Sequence, residues 1–183
     1  MLTSVIFCRH GETESNVGGW LAGSRDVALT DRGRAQARDA AAALAGEGRR
    51  VTVIYSSPQR RALETAAIIK QAVGAPVVPV QGLEERRWGA LEGGAIPADL
   101  FRDEVPGGES LGAFQARVFA ALDGLPMPED GCPPLIVAHA GTWHALCHWM
   151  GLVPPTLWPP NAAPTLLTRG NTARAADRLS IER

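Results

Sequence analysis

Short apolar runs alternate with longer amphipathic stretches along this chain. Runs rich in β-branched residues predict buried strands, and longer stretches of good helix formers predict helices. The predicted strands cover residues 3–8, 51–55, 77–80, 135–138 and 165–168, and the predicted helices cover residues 31–47, 58–73, 110–122 and 141–150. Strands that alternate with helices predict an α/β fold, in which helices cover both faces of a mostly parallel sheet.

Several element ends carry their own signals. Ser57 and Pro58 are typical of a helix N-cap and a first helical position, so they predict where the second helix begins. Gly46 and Gly48 predict the end of the first helix. Residues 179–181 indicate a short final strand.

Composition limits the classes of function open to the chain. Its 183 residues are 45% hydrophobic and 20% charged, which is ordinary for a globular protein, and the length suits one domain over residues 1–183. The net charge of −1 gives no reason to expect a nucleic-acid or membrane partner. The first residues lack the positive charge of a signal peptide, and three cysteines at unrelated spacings indicate reduced thiols, so we expect a cytoplasmic protein.

Two histidines stand directly after predicted strands. His10 lies between Arg9 and Gly11 after the first strand, and His139 follows the strand at 135–138. Because the carboxyl ends of parallel strands meet at one edge of a sheet, we expect these side chains to lie together. An imidazole beside a guanidinium is suited to capturing an anion and attacking it.

Two further segments complete a pattern of four spaced motifs. Residues 57–66 read SPQRRALETA, and residues 83–93 read LEERRWGALEG. With the four motifs in this order, the chain resembles the histidine phosphatase superfamily, also called the phosphoglycerate mutase-like family, from about residue 5 to residue 165. The resemblance implies a three-layer α/β/α sandwich and an enzyme that forms a phosphohistidine.

His10 is the predicted nucleophile. An imidazole titrates near neutrality, so a neutral ring nitrogen is available without an auxiliary base. We expect Arg9 and Arg61 to clamp the phosphoryl oxygens, since a guanidinium can contact two oxygens at once. The family pattern assigns the functional arginine to Arg61, and Arg60 is then a solvated helix residue.

A carboxyl group is expected to protonate the leaving oxygen of the ester. The resemblance assigns this general acid to Glu85, two positions after Leu83, and an acid in this role typically contributes ~10²–10⁴-fold. Glu84 stands next to it and is the alternative.

The remaining phosphate contacts are assigned by the same resemblance. His139, when protonated, is expected to stabilise the charge that grows in phosphoryl transfer. The residue after this histidine is usually glycine in the family and is Ala140 here, whose N–H can still bind phosphate. Asn16 resembles the family's phosphate-contacting amide, with helix capping or a turn as its alternative role. Gly23 is expected to present its N–H in the following loop.

His144 and His148 lie four residues apart on the last predicted helix. That spacing could place two metal ligands on one face, but no third ligand is evident, so we predict surface or packing roles, no metal and no cofactor. Trp20 and Trp143 lie near motif residues and could line a pocket. Glu12 is expected to support the site rather than to act in catalysis.

Phosphatases and mutases share the phosphohistidine step and differ in what takes the phosphoryl group. A mutase needs a closing lid that excludes water. The family's lid segment corresponds here to residues 94–105, which is short, so we predict an open site with little surface to define a substrate, and hydrolysis of small phosphate monoesters.

Three alternatives remain open: a phosphoglycerate mutase-type phosphotransferase, a protein phosphohistidine phosphatase, and a non-catalytic protein that binds phosphorylated ligands. Retention of the charged motif residues disfavours the last. The expected partner is a small phosphorylated substrate, and a monomer and a homodimer are equally compatible with the sequence.

Overall fold

The computed structural model describes residues 2–46, 50–126, 128, 130–154, 158–169 and 177–178 of the chain. Six strands form one sheet in the order β3-β2-β4-β1-β5-β6. The strands β3, β2, β4 and β1 are parallel, and β5 and β6 run antiparallel at one side. Their bounds are β1 Ser4–Arg9, β2 Ile54–Ser56, β3 Val77–Pro79, β4 Leu135–Ala138, β5 Thr165–Thr168 and β6 Asp177–Arg178.

Helices cover both faces of this sheet. Their bounds are α1 Glu14–Gly18, α2 Asp31–Gly46, α3 Arg60–Val73, α4 Leu111–Asp123 and α5 Ala140–Trp149, and a short 3₁₀ helix covers Gly89–Leu91. Ile6 and Cys8 of β1 pack with α2 and α3, whereas Val5 and Phe7, which alternate with them, pack with α4 and α5. The predicted three-layer α/β/α sandwich with a mostly parallel sheet is therefore confirmed.

The predicted bounds of β4 and β5 are confirmed, and those of β1, β2, β3, α3, α4 and α5 are corrected by one to three residues. Residues 51–53 precede β2 rather than belonging to it. Helix α3 has its N-cap at Gln59, not at Ser57, so Pro58 lies before the helix. Ser57 instead faces His139, as described below. Helix α1 was not predicted. It begins with a capping box that Thr13 and Asn16 form at its N-terminus. The predicted helix end at Gly48 and the predicted short strand at residues 179–181 lie outside the described residues.

None of the described helices is both long enough and apolar enough to cross a bilayer.

Candidate active site

The pairing of β1 with β4 brings the two histidines together. Arg9 lies opposite Ala138 in the parallel register, and the His10 N–H donates to the carbonyl of Ala138 at 3.0 Å. The next residue on each strand is a histidine, and the two ring centroids lie 5.3 Å apart. Both side chains are buried at the carboxyl edge of the sheet.

The surroundings of His10 fix its tautomer. Nδ1 lies 2.8 Å from the carbonyl oxygen of Gly11, and a carbonyl can only accept, so Nδ1 carries the proton. The Nε2 lone pair is then free to attack an electrophile. Gly11 itself is held by Thr65, whose hydroxyl accepts its N–H at 3.0 Å. A side chain at position 11 would overlap the backbone of Gly33, so glycine is required there.

Both histidines are neutral in the unliganded site. Burial lowers the pKa of His10 well below its ordinary value, and the charges of Arg61 and Arg9 lower it further. Burial and the charge of Arg61 do the same to the pKa of His139. A neutral His10 suits a nucleophile, whereas the positive charge that we expected on His139 is not held before a phosphoryl group enters.

Near these histidines, Arg61 is buried and Arg9 is partly exposed, and both keep unused donors. Arg9 Nη1 donates to Pro159 O at 3.2 Å, and Arg61 donates to the carbonyls of Arg25 and Gly23, both at 2.9 Å. Burial lowers the pKa of Arg61 to about 10, so it remains a cation near pH 7. Within the described part of the chain, the Nε of each arginine has no hydrogen-bond partner, so each can still donate to an oxyanion.

His139 does not line the cavity that His10 lines. Its Nε2 is 2.8 Å from Ser57 Oγ, and its Nδ1 is buried with no partner among the described residues. The hydroxyl of Ser57 also accepts the N–H of Gln59 at 3.3 Å, so it can donate its own proton to His139 Nε2. In that arrangement Nδ1 carries the proton of the neutral ring.

The two adjacent glutamates point to different places. Glu85 lines the cavity that His10 lines, and its oxygens accept the N–H of Arg86 at 2.9 Å and that of Gly141 at 3.1 Å. Glu84 accepts from the side chain of Arg117 at 3.2 Å and does not line this cavity. Of the two carboxyl groups, that of Glu85 can reach a ligand of His10.

Asn16 combines the two roles considered for it. Its Oδ1 accepts from the N–H of Thr13 in the capping box, and the residue also lines the cavity, where its amide N–H groups can donate to a ligand. Asn161, which the sequence did not single out, links His10 and Asn16 by hydrogen bonds. Its Nδ2 donates to the carbonyl of His10 at 2.9 Å and to Asn16 Oδ1 at 3.2 Å. No motif marks Asn161, because it lies in an irregular proline-rich segment.

Gln59 is a second residue that sequence reasoning missed. Its Oε1 accepts the backbone N–H of Glu85 at 2.8 Å and Nη2 of Arg61 at 3.2 Å, and its Nε2 donates to the carbonyl of Gly23 at 3.0 Å. Gly23 lines the cavity at a φ of 54°, and the contacts found for it use its carbonyl rather than the N–H that we expected. The side-chain amide of Gln59 therefore links Glu85, Arg61 and the loop that contains Gly23.

The cavity above His10 encloses about 260 Å³. The segment of residues 94–105 contributes Ile96, Leu100 and Phe101 to its wall. Buried Arg86 fastens this segment by donating to carbonyls of residues 100, 102, 103 and 109. The prediction that so short a segment leaves little binding surface is therefore wrong, because Arg86 holds the segment against the cavity.

Other predicted side chains divide between the wall and the core. His144 and His148 both line the cavity. The surface or packing roles predicted for them did not include this place in the cavity wall. Trp20 lines the cavity, but Trp143 packs in the core against Phe7 with ring centroids 5.0 Å apart. Ala140 lines the cavity at the start of α5, with Gly141 beside Glu85.

Glu12 lies outside the cavity wall, where its carboxylate accepts from Thr30 Oγ1 at 2.8 Å. Among the residues that the structure describes, no three His, Cys, Asp or Glu side chains are close enough to hold a metal ion.

This fold and this cluster of two histidines and two arginines define an α/β protein with a positively charged cavity at the carboxyl edge of its sheet. The model of the histidine phosphatase superfamily (branch 1) matches residues 5–180, and the chain belongs to that superfamily. Members of the superfamily are phosphatases or phosphotransferases.

Relatives with both kinds of name are similar to this chain. A 2,3-bisphosphoglycerate-dependent phosphoglycerate mutase of Methylobacterium sp. is 33% identical over 161 residues, which cover 78% of this chain and 77% of the relative. Phosphoglycerate mutase-like protein 4 of Arabidopsis thaliana is 32% identical and covers 78% of this chain and 68% of its own length. A mycobacterial glucosyl-3-phosphoglycerate phosphatase, solved in complex with VO3, has a TM-score of 0.77 and 30% identity over 91% of both chains.

Proposed function

We propose that this protein is a phosphatase that hydrolyses phosphate monoesters through a phosphohistidine on His10. The observation that carries the proposal is the hydrogen bond between His10 Nδ1 and the Gly11 carbonyl, which leaves Nε2 unprotonated on a neutral ring. Such a nitrogen is a nucleophile near pH 7 without a further base. The guanidinium groups of Arg9 and Arg61 supply positive charge beside it.

In the first step, Nε2 of His10 bonds to phosphorus and the bond from phosphorus to the ester oxygen breaks. The Glu85 carboxyl group gives its proton to the departing oxygen, so that the product leaves as an alcohol. In the second step, the Glu85 carboxylate takes a proton from water as the water oxygen bonds to phosphorus. The bond between nitrogen and phosphorus breaks, and inorganic phosphate and the original enzyme remain.

The arginines and His139 stabilise the charge of the transferring group. The unpartnered Nε–H groups of Arg9 and Arg61 are free to bind its oxygens, and Asn16 adds neutral donors. Burial and the charge of Arg61 lower the pKa of His139. The negative charge of a phosphoryl dianion nearby raises that pKa again and favours protonation of His139 when the charge is needed. Inorganic phosphate and VO3 are then expected to inhibit competitively, because both are anions that the positive charge of this site attracts.

Hydrolysis is favoured over transfer to a second alcohol by two features of the cavity. Its mouth is open, since Ile96 and Phe101 in its wall are each 51% exposed, so water reaches the site. A mutase also has to hold a second anionic group of its substrate. Among the described lining residues, Arg86 is the remaining arginine beyond Arg9 and Arg61, and backbone carbonyls already engage it.

The test is an assay of phosphate release from phenyl phosphate by wild-type protein and by His10→Ala. We expect turnover by the wild type, unchanged by a strong chelator, and loss of at least ~10³-fold in kcat for the variant. In parallel, 3-phosphoglycerate is followed by phosphorus NMR. Rapid isomerisation of 3-phosphoglycerate without phosphate release would contradict the proposal and favour the mutase-type reaction.

A further inference from the structure

Three aromatic side chains form one wall of the cavity above His10. The ring centroids of Phe101 and His144 lie 4.9 Å apart, and those of His144 and Trp158 lie 4.5 Å apart. The rings of Phe101 and Trp158 are nearly parallel and stacked, with 11° between their planes and 6.0 Å between their centroids. These residues come from the 94–105 segment, from α5 and from the segment before β5, so the fold assembles the wall from three separate places. We call these three rings the aromatic wall.

Part of this wall is left exposed. Phe101 is 51% exposed although it contacts two other rings, and Ile96 beside it in the cavity mouth is also 51% exposed. Apolar side chains that remain exposed in a concave site are available to bind an apolar ligand. Trp20 and Leu21 extend the apolar lining on the same cavity.

The outer cavity offers little for a second anion to bind. Among the described lining residues the arginines are Arg9 and Arg61, which lie with His10, and Arg86, whose guanidinium is engaged by backbone carbonyls. Burial, and then the neighbouring His148, lower the pKa of His144, so this member of the wall is uncharged near pH 7. A carboxylate or a second phosphate on the leaving group would therefore lose water without gaining a cation.

We infer that the protein selects phosphate monoesters whose leaving group is uncharged and has a flat apolar face, and that the aromatic wall is the surface on which this group packs. The inference rests on the proposed function and adds the substrate class to it. An apolar ring placed against Phe101 and Trp158 gains both burial and ring contact. The same contact is available to the ester and to the transition state, so it lowers KM more than it raises kcat.

Three aryl phosphates separate the contributions of reactivity, apolar area and charge. Phenyl and 1-naphthyl phosphate have leaving groups of similar acidity, so a difference between them reports the second ring. We expect kcat/KM to be roughly tenfold higher for 1-naphthyl phosphate. We expect 4-carboxyphenyl phosphate to fall below phenyl phosphate by a similar factor, because its carboxylate meets the apolar outer cavity.

The variant Phe101→Ala removes the exposed ring of the wall, and Val153→Ala is the control, since Val153 is 81% exposed and does not line the cavity. The naphthyl-to-phenyl ratio of kcat/KM should fall to about threefold or less in Phe101→Ala, mostly through KM, and should keep its wild-type value in Val153→Ala. A wild-type ratio near one, a ratio that Phe101→Ala leaves unchanged, or a preference for 4-carboxyphenyl phosphate would overturn the inference.

Failure of the proposed function gives a different result. If the wild-type protein released no phosphate from any of the three esters, hydrolysis would be wrong. Calorimetric titration of His10→Ala with phenyl and 1-naphthyl phosphate then decides the leaving-group preference without turnover. Tighter binding of 1-naphthyl phosphate by roughly tenfold supports the aromatic wall, and equal binding contradicts it.

Discussion

Gly141 and Glu85 are in direct contact, and the contact depends on the absence of a side chain at residue 141. The Gly141 N–H donates to the Glu85 carboxylate at 3.1 Å, and a Cβ at position 141 would overlap the other carboxylate oxygen. Gly141 lies in the first turn of α5, one residue after Ala140. The glycine therefore fixes where the predicted acid lies, although it carries no chemistry of its own.

Gly141→Ala should displace the carboxyl group of Glu85. We expect kcat/KM for an alkyl phosphate to fall by roughly 10- to 100-fold, because protonation of a poor leaving group depends on the position of the acid. An aryl phosphate should lose much less. Gly112→Ala is the matched control, since Gly112 lies in the first turn of α4, does not line the cavity and leaves open space for an added Cβ; it should leave both substrates near wild-type values. Equal losses for the alkyl and aryl esters in Gly141→Ala would contradict this account of the contact.

The acid itself is tested by a pair of adjacent variants. Glu85→Gln keeps the size of the side chain and removes its proton, so it should slow alkyl phosphates by roughly 10²-fold or more and aryl phosphates far less. Glu84→Gln should have a small effect, because Glu84 contacts Arg117 outside the cavity. The measurement is kcat/KM for both ester types in both variants. A larger loss in Glu84→Gln would move the role to Glu84.

Gln59→Leu tests the amide that joins the acid to the arginine. The variant keeps similar bulk and removes the hydrogen bonds to the Glu85 N–H, to Arg61 and to the carbonyl of Gly23. We expect a loss of roughly tenfold or more in kcat/KM and weaker competitive inhibition by inorganic phosphate, since Arg61 loses one of its supports. Gln71→Leu on the exposed face of α3 is the control. Wild-type phosphate inhibition in Gln59→Leu would show that Gln59 does not position Arg61.

The buried histidines predict how stability depends on pH. Their pKa values in the folded protein lie below the ordinary value of about 6.5, which they regain in the unfolded chain. As the pH falls below about 6.5, the unfolded chain binds protons that the folded chain does not. The free energy of unfolding therefore decreases, by up to ~1.4 kcal/mol per pH unit for each histidine. Above pH 6.5 both groups are neutral in both states and add no pH dependence.

Urea denaturation of wild-type protein and of His10→Asn between pH 5.5 and 7.5 measures this effect. The variant should lose less stability on acidification than the wild type, because one of the two groups is removed. The carboxylates contribute equally to both proteins, so the difference between the two slopes isolates His10. Identical slopes would show that His10 does not change its pKa on folding.

These residues also show what the sequence could and could not reveal. The strand Leu135–Ala138 was predicted to the residue, because a short apolar run between turn-forming residues has few other interpretations. The prediction that His10 and His139 lie close together is confirmed, because each follows one of two neighbouring parallel strands. The prediction of Ser57 as an N-cap was wrong, because its hydroxyl bonds to His139, 82 positions away, and to the N–H of Gln59, the residue that is the N-cap.

Contacts between distant irregular segments account for the other misses. Asn161 reaches the end of β1 from a proline-rich stretch that has no periodicity. Gln59 carries no role in the motif that assigns Arg61, and its three contacts are with segments distant in sequence or with Arg61, so they could not be read from the motif. The place of His144 in the cavity wall depends on Phe101 and Trp158, which only the tertiary structure brings to it.

The phosphohistidine on His10 is the central claim, and rapid-quench trapping tests it most directly. Wild-type protein is mixed with phenyl phosphate labelled on phosphorus and quenched within one turnover, and the labelled peptide is then identified. The account predicts up to one label per protein molecule, bound to His10, stable to base and labile to acid, and absent from His10→Ala. Label retained by His10→Ala, or turnover by the wild type with no label on His10, would contradict it.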